Sequence, residues 1–84
     1  MSLPTEPVTL SVEQIRELNQ KLSDLRHDIN NYVSVMLAST ELLQRRPETA
    51  ERLWVGLAEQ PPKIIEAVTQ FSRDLEAAFH ITRP

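Results

Sequence analysis

Eighty-four residues limit the chain to one small domain, and 40% apolar with only 5% aromatic residues describes a core built mainly from aliphatic side chains. The absence of cysteine removes disulfides, thiolate zinc sites and cysteine nucleophiles together, and two histidines are too few for an imidazole metal cage. A single glycine, Gly56, leaves no phosphate-cradling loop, and a net charge of −3 argues against nucleic acid as a partner.

Residues 1–10 hold Pro4 and Pro7 and no helical period, so they read as an irregular N-terminal arm. They lack the basic start and apolar stretch of a signal peptide, and no run approaches the ~20 apolar residues of a membrane span. A cytoplasmic module is expected.

Helix 1 is expected over about 11–45. Ser11 and Gln14 have capping-box spacing, with Thr9 as the competing cap. Apolar positions then step through Ile15, Leu18, Leu22, Leu25, Ile29, Tyr32, Met36, Ser39 and Leu43, with Ser39 the one polar member. The alternating steps of three and four are a bundle or coiled-coil period, sustained over roughly 40 Å. Glu13 with Arg16, and Glu17 with Lys21, have the spacing for pairing on the outer face. Val33, Val35, Leu37 and Leu42 make the second half more apolar than a narrow stripe requires. They suit a docking surface or, as the weightier reading, a thicker bundle core.

Arg45, Arg46 and Pro47 end this period, because cations suit a helix C-terminus and proline suits the first turn of the next helix. Helix 2 is expected over about 48–79, with a stripe of Ala50, Trp54, Leu57, Pro61, Ile64, Val68, Phe71, Leu75 and Ala78. Trp54, Phe71 and Phe79 read as core or dimer contacts. Pro61 and Pro62 remove two donors, yet the register runs straight through them. A kinked continuous helix is the first expectation, and two helices meeting at Glu59 to Pro61 the alternative. His80 has no recognisable partner, and 81–84 is a short tail.

The fold class is therefore all-α, an antiparallel two-helix hairpin. Two amphipathic helices cannot cover both their apolar stripes, so pairing as a homodimeric four-helix bundle is expected. The competing explanation is a segment of a larger protein whose other parts cover the stripe.

On the heptad wheel His27 lies at f, furthest from the seam, in a polar stripe with Gln20, Asp24, Asn31 and Ser34. Asp28 lies about 100° around the helix from it. An outward histidine is free to act as nucleophile or proton carrier, or to do nothing, and position alone favours the inert reading.

The run Leu25-Arg26-His27-Asp28-Ile29-Asn30-Asn31, followed by Val35-Met36 and Glu41-Leu42-Leu43, resembles the phosphoacceptor helix of sensor histidine kinases. It is most similar to the subgroup with the motif H-D-x-N-N. Ile64-Ile65-Glu66-Ala67-Val68-Thr69-Gln70 leading into Phe71-Ser72-Arg73 resembles the F-S-R ending of those dimerisation and phosphotransfer domains, so the likeness covers about 18–73. The resemblance implies that residues 11–80 form such a domain, with His27 as phosphoacceptor in a two-component phosphorelay. It implies Asp28 as the base partner that orients and polarises the ring, and Asn31 as the residue that helps place the phosphoryl group or a hydrolytic water. Asn30 belongs to the motif without a separate chemical role.

Two residues depart from the commoner family pattern: Tyr32 stands where many relatives have proline or leucine, and Arg26 where many have a small residue. Neither abolishes the chemistry. The sequence also holds no glycine-rich ATP lid. ATP and magnesium are then expected only on a partner, with no cofactor or metal bound by this chain itself. The expected partners are a second copy and either a response-regulator receiver domain or a separate kinase domain. The alternatives are a non-catalytic homodimeric helical scaffold of the same fold, or a simple coiled-coil adaptor.

Overall fold

A computed structural model describes residues 4–79 of the chain. His80 and the expected tail fall outside the described residues, as do the first three residues of the arm. Residues 4–10 carry no helix or strand. The described chain is a helical hairpin: α1 (Val12–Arg45), a short 3-10 turn (Pro47–Thr49) and α2 (Ala50–Ala78).

The start of α1 is built as its sequence dictates. Gln14 N–H donates to Ser11 Oγ at 3.1 Å, and Ser11 N–H donates to Gln14 Oε1 at 2.8 Å. Two donors that the first turn would otherwise leave without partners are satisfied reciprocally, and Ser11, not Thr9, is the cap. At the far end Arg46 N–H closes the last turn onto Leu42 O at 2.7 Å. Pro47 then opens the 3-10 turn, and Thr49 fastens it by donating from both N–H and Oγ1 to Arg46 O. That turn occupies the beginning of the expected second helix, so α2 proper starts at Ala50.

Helix α2 runs through Pro61 and Pro62 as one element, which decides against two helices meeting at Glu59 to Pro61. The prolines leave the carbonyls of Leu57 and Ala58 without their helical donors. Ala58, Pro61 and Pro62 are exposed, so water reaches that turn. On the opposite face Gln60 is buried at 6% exposure, and its Nε2 donates to Gly56 O at 2.9 Å.

The sides that face each other across the hairpin correct the expected stripes. On α1 the half-buried positions are Gln14, Leu18, Lys21, Leu25, Ile29, Tyr32, Met36, Ser39 and Leu43. Ile15 and Leu22 of the expected stripe are exposed, and Gln14 and Lys21 take their places. On α2 the covered positions include Ala50, Leu53, Leu57, Gln60, Ile64, Ala67, Phe71, Asp74, Leu75, Glu76 and Ala78, while Trp54, Pro61 and Val68 of the expected stripe are exposed. One residue is about 100° of helix, so the true seam is turned by that much wherever the sequence offers apolar residues to two faces.

The hairpin measures 56 × 28 × 13 Å, one helix thick. Among the described residues no apolar side chain is fully buried. Val33, Val35, Leu37 and Leu42, expected to form either a docking surface or a thicker bundle core, are all exposed in the single hairpin, because no second layer lies over them. Val33 and Leu37 join Met36, Thr40, Trp54, Leu57, Ala58, Pro61 and Ile64 in an open apolar groove of about 610 Å³. Val35 and Leu42 lie on a different side of α1, in heptad line with Asp28.

Candidate functional site

His27 sits mid-way along α1, about four turns from its N-terminus by helical pitch, on the face turned away from α2. Its side chain is 75% exposed.

Two side chains converge on one ring nitrogen. Asn31, one helical turn later, places Nδ2 at 3.3 Å from His27 Nδ1. Asp28, the next residue, places Oδ1 at 3.9 Å from the same Nδ1 and is itself half exposed. The first is a long hydrogen bond; the second is an electrostatic approach that stops short of one. No bond to Nε2 is made among the described residues. The helix brings together all three sequence-derived site residues because offsets of one and four positions stay on one side of it.

The polar stripe around the ring is ordered by its own local bonds. Gln20 Nε2 donates to Asp24 Oδ1 at 2.9 Å, and Ser34 Oγ donates to the carbonyl of Asn30 at 2.7 Å. Arg26 is exposed beside the histidine, and Tyr32 is turned into the hairpin seam.

The second helix contributes a flank that sequence reasoning did not identify. Asp28 borders a groove of about 190 Å³ lined also by Lys21, Asp24 and Leu25 of α1 and by Ala67, Gln70, Phe71 and Asp74 of α2. Lys21 Nζ lies 3.3 Å from Glu17 Oε1 and 3.7 Å from Asp74 Oδ1, so the expected intrahelical pair also reaches across. Gln70 Nε2 donates to Asp74 Oδ1 at 3.2 Å. The pairing register of two helices carries this information, and no single-helix period reveals it. The Glu13–Arg16 pair does not form among the described residues.

Among the described residues no group of three or more histidine, aspartate or glutamate side chains is arranged to hold a metal ion. No helix there is long and apolar enough to cross a membrane. No family model matches the chain, and no curated protein or solved structure matches it.

Proposed function

We propose that this chain is a histidine phosphotransfer and dimerisation module of a two-component pathway, taking or giving a phosphoryl group at His27. The observation that supports this most is the convergence of Asp28 and Asn31 on Nδ1 of a 75% exposed imidazole, with Nε2 left unengaged among the described residues. An imidazole so placed offers one nitrogen to an incoming phosphoryl group while polar neighbours manage the other. Asp28 stabilises the positive ring that forms on phosphorylation, and Asn31 helps place the phosphoryl group. A kinase domain or a receiver domain supplies magnesium and the other half of the reaction.

Val35 and Leu42 extend from Asp28 along the same side of α1 and are exposed. They suit the footing of a receiver domain beside the histidine. The apolar groove around Trp54 and Leu37 suits a second copy, whose matching groove closes a four-helix bundle and leaves His27 on its outside.

The test is incubation with a phosphorylated receiver domain and magnesium, followed by assay of the chain for acid-labile, alkali-stable phosphate. Labelling that is lost in His27→Ala is the expected result. No labelling by any receiver or kinase domain tried, with partner binding unchanged in His27→Gln, would instead favour the non-catalytic scaffold.

A further inference from the structure

The two neighbours of His27 Nδ1 make incompatible demands on it. An amide NH2 only donates, so the 3.3 Å contact with Asn31 Nδ2 requires a lone pair on Nδ1 and places the ring proton on Nε2. A carboxylate only accepts, so a hydrogen bond from the ring to Asp28 requires the proton on Nδ1 and leaves the lone pair on Nε2. One nitrogen of a neutral imidazole cannot satisfy both. The distances put the observed arrangement on the Asn31 side, with Asp28 Oδ1 waiting at 3.9 Å.

We propose that Asn31 and Asp28 select opposite tautomers of His27, Asn31 holding a resting ring whose outer nitrogen is protonated and Asp28 producing the ring that attacks through Nε2. The consequence for transfer rests on the phosphotransfer reading above; the tautomer preference does not. In the resting ring the only lone pair is on Nδ1, capped by the Asn31 amide and turned toward the helix side chains. In the reactive ring the Nε2 lone pair forms the N–P bond, and the P–O bond to the donor's aspartate breaks with its electron pair going to that carboxylate. The Nδ1 proton stays on the ring, now positively charged, and Asp28 balances it. Conversion needs Asp28 Oδ1 to close by about 1 Å to hydrogen-bond distance. No other hydrogen bond holds the Asp28 carboxylate among the described residues, so that movement breaks nothing else. A docked receiver that engages the Asn31 amide would release the ring to Asp28. Asn31 is thus a positioning residue that sets which nitrogen is available.

The experiment is nitrogen NMR of the His27 ring in the full chain, in alkaline buffer where imidazole is neutral and with no phosphoryl donor present. Wild type is expected with its proton mainly on Nε2. Asn31→Asp, which replaces the donor by a group that only accepts, should raise the ratio of Nδ1–H to Nε2–H by roughly threefold or more. Asp28→Asn should lower it. A wild-type ring protonated mainly on Nδ1, or a ratio unmoved in both variants, overturns the proposal. Initial rates of phosphoryl uptake from a phosphorylated receiver domain are then compared across the same variants. Rates that ignore a tautomer ratio which has moved overturn the link to transfer. A ratio that moves while no protein, wild type included, accepts phosphate sinks the phosphotransfer reading and leaves the tautomer selection standing.

Discussion

Lys21 on α1 and Asp74 on α2 meet at 3.7 Å, an ion pair that crosses the hairpin at the edge of the groove bordering Asp28. Lys21 also holds Glu17 at 3.3 Å on its own helix, so one cation serves two carboxylates. Lys21 is more than a third exposed and Asp74 a quarter. Pairs in that setting are screened by water and contribute between nothing and about 1 kcal/mol. A double-mutant cycle of Lys21→Ala and Asp74→Ala is expected to give a coupling in that range, shrinking as salt is raised. Urea unfolding at low and high ionic strength measures it, and a salt-independent coupling of several kcal/mol would contradict this account.

Leu37 is 60% exposed and Trp54 57% exposed, both in the apolar groove. In an isolated hairpin, Leu37→Glu would cost within roughly 0.5 kcal/mol, as surface substitutions usually do. In a dimer closed through that groove it buries a charge, so the expected outcome is dissociation and loss of helicity at micromolar protein. Sedimentation equilibrium and circular dichroism distinguish the two. A dimeric wild type should also melt at a temperature that rises with protein concentration.

Gly56 lies in the interior of α2, and a Cβ built on it meets nothing within 4 Å. Glycine there has only its entropic cost, so Gly56→Ala is expected to stabilise the fold by about 1 kcal/mol. Pro62→Ala, at an exposed position that does not line the groove, restores a backbone donor and should add up to about 3 kcal/mol. Thermal or urea denaturation reads both. A loss of stability in Gly56→Ala would mean that something covers this face of the helix.

The reciprocal bonds between Ser11 and Gln14 hold the first turn of α1. Ser11→Ala removes the acceptor for Gln14 N–H and is expected to cost about 1 kcal/mol. Amide exchange should quicken in the first turn and leave the turn around His27 unchanged.

The sequence by itself determined what depends on local chemistry. The Ser11–Gln14 cap, the end of α1 before Pro47 and the outward position of His27 all follow from residue types and helical offsets of one, three and four. The grouping of Asp28 and Asn31 about the ring follows from the same offsets. Tertiary structure alone decided which of two apolar faces on each helix meets the other. Leu22 and Trp54 are as hydrophobic as the seam requires, yet Lys21 and Leu53 take the inward places. A hydrophobic period marks the residues that avoid water without naming the surface that covers them, and a helix built to touch two neighbours carries both stripes at once. The α2 side of the His27 region, with Gln70 and Asp74 beside Asp28, likewise depends on the register between helices more than forty residues apart in the chain. Only folding the chain back on itself decides that register. The hairpin shows where the apolar surface left over by one chain lies.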